Sequence, residues 1–216
     1  MENASNHSHV VNKTLEAIKR NGFRAIYAKN RKEALQRIIE EIPQEATVGA
    51  GDSLTLEEIG VFEELKRRGY RLLWPFDEKV AKEERRKVAR KALLADVFLS
   101  GSNALTMDGK IVNIDATGNR VAGMIFGPRK AMVVVGVNKI VKNVEEALDR
   151  IRKVAAPLNA KRIRKERGWE LLPCVEAGKC LDCDAENRIC NITAIIEKKP
   201  RAIDMVIIIV EEKLGL

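Results

Sequence analysis

Apolar residues recur along this chain with two periods, and the switches between them mark out its elements. Val11, Leu15 and Ile18 fall at helical spacing within Val10–Asn21, and Gly22 supplies a C-terminal stop. Phe23–Ala28 reads as a first strand. Asn30 followed by Glu33 is a reciprocal capping pattern, and Ala34, Leu35, Ile38, Ile39 and Ile42 give the next helix its apolar face before Pro43 ends it. Ala46–Ala50 is a short strand that leads directly into a helix over Leu54–Gly60 or slightly beyond. Tyr70–Trp74 reads as a strand halted by Pro75. A long helix is then expected over Glu78–Ala95, with Val80, Val88, Ala92 and Leu93 turned inward.

Two runs, Ala92–Leu99 and Ala131–Val137, are apolar on both faces and read as buried parallel strands, the first with its helix-to-strand boundary open. Asn143 and Glu146 open another capped helix, with Val144, Ala147, Leu148, Ile151 and Val154 on one face until Pro157 interrupts it. Ile203–Val210 is a late strand that completes the sheet. Such alternation implies βαβ units, hence an α/β fold with a mainly parallel sheet flanked by helices. One domain over residues 1–216 is expected, with a cysteine-rich segment at 168–197 inserted before the last strand.

Composition narrows the class. A hydrophobic share of 45% excludes a disordered chain. The longest apolar run, Met205–Val210, is strand-sized, and the polar start Met1–Val10 lacks the apolar core of a signal peptide, so a soluble cytoplasmic protein with no membrane partner is expected. His7 and His9 fall in that polar start, read as a tail. The net charge of +8 raises nucleic-acid binding. Its basic clusters, Lys82–Lys91 and Lys161–Arg167, are however interleaved with glutamate, and aromatics are only 4%, which favours solvated, ion-paired helix faces and no nucleic-acid partner. Charged residues at 32% with only two glutamines, Gln36 and Gln44, fit a thermophile's surface.

The candidate chemistry gathers in Ser100–Arg129, a glycine-rich polar stretch between the two buried runs. In α/β proteins ligands bind beyond the carboxyl ends of the strands, which makes Asn103, Asp108, Asn113, Asp115, Gly118, Asn119 and Arg120 ligand-binding candidates. Met107–Lys110 also reads as an ordinary hairpin turn around Asp108-Gly109. Thr117–Arg120 reads as a helix start, with Arg120 free to bind an anion. Upstream, Gly49, Gly51, Asp52 and Ser53 link a strand to a helix as an anion cradle, without the spacing of a Walker A loop. Asn138 and Lys139 can converge on the same rim, though Lys139 reads equally well as exposed. Neither histidine lies near these loops, so no nucleophile–base pair emerges, acid–base work falls to Asp52, Asp108 or Asp115, and whether the chain is an enzyme stays open.

A second constellation is Cys174-x5-Cys180-x2-Cys183-x6-Cys190, which contains every cysteine of the chain. A reducing compartment argues against two disulfides. Structural zinc usually draws on two CxxC-type knuckles and here there is one, so a [4Fe–4S] cluster ranks first, zinc second, and inert or redox thiols third.

Three segments carry a resemblance: GSNALTMDGKIVNIDATGNRVAGMIFGPRKAMVVVGVNKIV, the upstream TVGAGDSLTLEEIG, and PCVEAGKCLDCDAENRICNI. Together they resemble the LUD-domain family, formerly a domain of unknown function, which includes the LutC/YkgG-type lactate-utilization proteins. The resemblance runs from about Val10 to Leu216, and the cysteine segment is similar to that of a small subgroup. It implies a Rossmann-like sheet of the NagB/RpiA/CoA-transferase superfamily. Sugar-phosphate isomerases of that superfamily carry a catalytic aspartate where this chain has Asn103, and an amide cannot act as general acid or base. The functional expectation is an electron-transfer or accessory protein of lactate or related organic-acid oxidation, bearing an iron–sulfur centre and meeting iron–sulfur partner proteins. The alternative is an enzyme or binding module for a phosphorylated or CoA-linked small molecule, using the Gly49–Ser53 and Asp108–Arg120 loops with structural zinc at the cysteines. A homo-oligomer stays open.

Overall fold

The computed structural model describes residues 2–168 and 171–216, with the side chains of residues 2–8 and 167 outside that description. The main sheet has six strands, all parallel, in the order β1-β10-β7-β4-β2-β3. These are β1 (Arg24–Ala28), β2 (Thr47–Ala50), β3 (Arg71–Leu73), β4 (Val97–Gly101), β7 (Lys130–Gly136) and β10 (Asp204–Val210). The last strand of the chain therefore lies inside the sheet, between β1 and β7, rather than at its edge.

Its side chains explain that position. Along β7 and β10 successive residues point to opposite faces, and both faces are buried. Met132, Val134, Val206 and Ile208 enter the core shared with α2 (Arg31–Glu40), α3 (Leu54–Ile59) and α4 (Val61–Arg67). Ala131, Val133, Val135, Ile207 and Ile209 enter the core under α1 (Glu2–Arg20). A strand apolar on both faces is stabilised most where both faces are covered, which is the middle of the sheet. The fold is α/β with a mainly parallel sheet, as the alternation implied.

The central stretch between β4 and β7 is not one loop. It forms the antiparallel hairpin β5 (Ala104–Thr106) and β6 (Ile111–Asp115), and then α6 (Asn119–Ile125). With β8 (Ile140–Val141) and β9 (Ile192–Ile196) the hairpin builds a second sheet in the order β8-β5-β6-β9. The Asp-Gly turn at 108–109 is thus a hairpin turn, with Gly109 at φ 83°.

Three local expectations are corrected. The polar start is taken up into α1, in which His9 is exposed and the side chain of His7 lies outside the described residues. The helix expected over Glu78–Ala95 is only α5 (Arg85–Ala92) behind a short 3-10 turn at Lys82–Glu84, because its apolar positions are too sparse to hold residues 78–81 against the core; Val80 and Val88 are half-buried. The helix from Asn143 does not end at Pro157. α7 (Val144–Arg150) passes through a wider π turn at Ile151–Ala155 into α8 (Ala156–Arg167). Ala156 N–H reaches back five residues to Ile151 O, so the ring of Pro157 is accommodated without breaking the rod.

The π turn has a second effect. Arg152 O loses Ala156 as a donor, and at the five-residue spacing its donor would be Pro157, which has no N–H. Cys180 N–H takes that carbonyl at 2.7 Å. The cysteine-rich segment, with α9 (Pro173–Ala177) and β9, is thereby fastened to the helix that backs the cavity described next; Trp169 and Glu170 of the segment lie outside the described residues.

Candidate functional site

The carboxyl ends of β4, β2 and β7 open onto a cavity of about 880 Å³, roofed by α5 on one side and α8 on the other. This is where a parallel sheet places a ligand. Gly101 ends β4, Asp52 and Ser53 follow β2, and Lys139 follows β7. Ser53 caps α3, its hydroxyl accepting from Leu56 N at 3.3 Å.

Arg120 is the hub of the cavity wall. Its Nη2 lies 2.6 Å from Asp115 Oδ1 and donates to Asn103 Oδ1 at 2.8 Å and to Ile114 O at 3.1 Å. Its Nη1 donates to Asn113 Oδ1 at 2.6 Å and Gly101 O at 3.2 Å. The other oxygen of Asp115 accepts from Val121 N at 2.9 Å, serving the start of α6. Arg120 is therefore not free for an anion: its fork ties β4, the hairpin and α6 into one piece.

The sequence candidates divide accordingly. Asp52, Ser53, Asn103, Asp115, Gly118, Asn119, Arg120 and Lys139 line the cavity. Asn113 is fully buried in the layer behind Arg120, accepting also from Asn103 N at 3.0 Å. Asp108 sits at the hairpin tip against α1, where its backbone oxygen accepts from Asn21 Nδ2 at 2.8 Å. Asn138 holds the C-terminal turn, its Oδ1 accepting from Leu214 N at 3.0 Å. Gly49 packs against α5, where a Cβ would press into the Ala92 carbonyl, and Gly51 leaves room for the Arg120 stem.

The structure adds residues that sequence reasoning assigned elsewhere. Lys82, Arg85, Arg86 and Arg90, read as a solvated basic face, form the lip of the cavity. Arg162 and Asn159 of α8 complete the opposite side. Arg162 Nη2 pairs with Asp52 Oδ2 at 2.8 Å; burial works against its charge, but Asp52 and Glu166 outweigh that and its pKa stays raised. The only signal for the lip was the four-residue beat of Lys82, Arg86 and Arg90, one helix side rather than a mixed surface.

The electrostatics are one-sided. The two side-chain carboxylates in the lining, Asp52 and Asp115, pair with arginines, which leaves Lys82, Arg85, Arg86 and Arg90 as surplus positive charge. Arg85 stacks its guanidinium 5.6 Å from the Phe76 ring centre, and its Nε is buried with no hydrogen-bond partner among the described residues. A smaller cavity of about 300 Å³ adjoins at Phe76, Lys82, Arg85 and Arg162, with Glu57 and Glu166 also in its lining, and there Trp74 Nε1 is a second buried donor without an acceptor among the described residues. Lys139 lies at the floor. Burial, then Arg150 and Arg120, push its pKa down to about 7, against a smaller opposing pull from Glu58.

A family model of the LUD domain matches residues 11–210. The chain belongs to the LUD-domain family. The six-stranded LUD sheet is also similar to a crystal structure of a DUF162-family protein from Deinococcus radiodurans, at a TM-score of 0.54 and 16% identity over 94% of this chain and 97% of that one, which shows the shared fold. No curated protein matches the sequence. In this LUD chain Asn103 is a structural acceptor: its Oδ1 takes Ile114 N at 2.9 Å as well as Arg120.

The cysteine segment meets the LUD cavity at its edge. Ile189 lines the cavity, while Asn191 N donates to Asp115 O at 2.9 Å and Asn191 Nδ2 to Ala116 O at 3.2 Å. Burial raises the Cys174 thiol pKa, and Cys183, Cys180 and Cys190 raise it further. Asp182 N–H donates to Cys180 Sγ at 3.4 Å with Asp182 in the left-handed region at φ 50°. Among the described residues no three potential ligands stand as a group ready to hold a metal ion. Four thiols from one loop suit iron–sulfur or zinc in kind, while their spacing requires the loop to close around the group.

Proposed function

We propose that this LUD protein binds a small-molecule anion, phosphorylated or CoA-linked, in the cavity at the strand ends. The observation that carries this reading is Arg85, whose buried Nε has no hydrogen-bond partner among the described residues, in a cavity with surplus positive charge. Buried donors are normally paired, so an orphan donor beside unmatched cations is supported best by an acceptor that arrives with the ligand. Volume favours a larger ligand than lactate: cavities of roughly 300–1,000 Å³ bury drug-sized molecules, far more than a three-carbon acid fills.

The test is a thermal-shift and calorimetric screen of sugar phosphates, nucleotides, acyl-CoAs and lactate, run on the wild type and Arg85→Ala. Stabilisation by a phosphorylated or CoA-linked compound, weakened in the variant, supports the reading. Stabilisation by none of them, or binding that Arg85→Ala leaves untouched, sinks it.

A second reading adds redox work. The four-cysteine loop, anchored to Arg152 O and to the Asp115–Ala116 backbone, supports a [4Fe–4S] centre beside the ligand, with zinc as the alternative. Such a centre supplies one-electron chemistry. That would make the protein a cytoplasmic accessory to oxidation of lactate or a related organic acid, working with iron–sulfur partner proteins. Anaerobic purification with metal analysis and EPR separates the cases: a colourless protein with one equivalent of zinc ends the redox version.

A further inference from the structure

Lys139 differs from the other cations of the cavity in burial and in partners. It ends the 3-10 turn Val137–Lys139 and is only 4% exposed, whereas Arg86 and Arg90 are exposed on the lip. Nζ donates to Thr55 Oγ1 at 2.8 Å, its one hydrogen bond among the described residues, and it has no salt bridge among them. An ammonium brings three N–H donors and seeks acceptors for all of them; a neutral amine needs fewer and keeps a lone pair. The C-terminal turn closes over this group. Gly215 N donates to Glu58 Oε2 at 2.7 Å, and a Cβ at Gly215 would stand 2.8 Å from Nζ, so glycine there preserves the space beside the amine. The nearby guanidinium of Arg150 is committed to Asn103 O at 2.6 Å and Asn138 O at 3.2 Å.

The geometry points to Lys139 as a covalent-binding amine that forms an imine with the carbonyl carbon of a ligand carrying an anionic group. This rests on the anion-binding reading above and names the ligand's reacting group. The Nζ lone pair attacks the carbonyl carbon and a carbinolamine forms. The C–O bond then breaks, C=N forms, and the oxygen departs as water with the two amine protons. The positive charge of the lip draws the anionic ligand into the cavity. A buried lysine beside other cations is the arrangement that makes an amine nucleophilic, because both effects disfavour its protonated form. At an ordinary lysine pKa roughly one amine in a few thousand is neutral at pH 7. With the Lys139 value near 7, about half are.

The shared ligand chemistry, carbonyl plus anion, has two sources: a 2-oxo carboxylate and an aldehyde phosphate. Full-length protein is treated with sodium borohydride in the presence of pyruvate or of glyceraldehyde 3-phosphate, and the reduced secondary amine is mapped by peptide mass spectrometry. The expected result is an adduct concentrated on the Lys139 peptide with one of the two compounds, which identifies the source. It is lost in Lys139→Arg, which is checked for folding by its melting curve. Lactate and glycerol 3-phosphate, which lack the carbonyl, report anion binding separately. If these anions stabilise the protein but neither carbonyl compound labels Lys139 above other lysines, the imine proposal is overturned and the binding reading stands. If no labelling occurs the imine proposal is overturned, and the binding reading falls as well only where the sugar phosphates, nucleotides and acyl-CoAs of the screen above also fail to stabilise the protein. Labelling that persists at the same level in Lys139→Arg also overturns the proposal.

Discussion

Arg120 Nη2 lies 2.6 Å from Asp115 Oδ1, and the pair stands where the hairpin, the end of β4 and the start of α6 meet. The side chains are 12% and 5% exposed, so neither charge has water to fall back on. Removing one partner of such a pair leaves the other buried and uncompensated. Arg120→Ala should destabilise the protein by about 3–5 kcal/mol in urea unfolding. Arg120→Lys should recover only part of this, because an ammonium cannot reproduce a fork that serves Asp115, Asn103 and Asn113 together. Equal stability of wild type and Arg120→Ala would show that the hairpin and α6 are held by packing alone.

Lys139 makes stability depend on pH in a known direction. Its folded pKa, about 7, lies below the unfolded value near 10.5, so between these the unfolded chain binds more protons and stability rises with pH. The cost of burying the charge is complete below pH 7 and gone above the unfolded value. Lys139→Met should therefore raise the melting temperature most at pH 6, with the gain shrinking towards pH 10. A gain independent of pH would mean that Lys139 is not held as a buried, titrating amine.

Gly49 separates packing from binding. It was a candidate for the anion cradle, yet the structure sets it against the Ala92 carbonyl of α5. Gly49→Ala should cost roughly 1–3 kcal/mol through overpacking, while folded protein keeps its ligand affinity. Loss of affinity without loss of stability would return Gly49 to the binding loop.

Pro157 should matter through the cysteine segment. Pro157→Ala supplies the N–H that Arg152 O lacks, and so competes with Cys180 N for that carbonyl. Hydrogen exchange at the Cys180 amide should accelerate in the variant while α1 and the main sheet are unchanged. Unaltered exchange would show that the segment is anchored elsewhere, for example through Asn191.

The lip of the cavity gives a graded expectation. Arg85→Ala should weaken binding of a phosphorylated ligand by about 10- to 100-fold, in line with roughly 1.5–3 kcal/mol for a hydrogen bond to a charged group. Arg86→Ala, on the exposed side, should weaken it less and mainly at low salt. Isothermal titration at two ionic strengths distinguishes them, and identical losses would remove the special role of the buried Nε.

What the sequence determined by itself was everything that depends on near neighbours. The caps at Asn30, Ser53 and Asn143, the Asp108-Gly109 hairpin turn and the doubly apolar run of β7 act over a few residues, and they appear as read. The alternation of those elements sufficed for the parallel α/β sheet, and the long motif around Ser100–Arg129 sufficed for the family. What only the tertiary structure decided was which polar groups spend their bonds on one another. Arg120 is consumed by Asp115, Asn103 and Asn113, and Lys139 is buried at the cavity floor beside the C-terminal turn. A basic run that reads as solvated surface becomes the rim of a cavity because α5 lies across the strand ends. Local order follows from contacts within a turn or two of the chain. The availability of a charge depends on partners that only folding brings within reach.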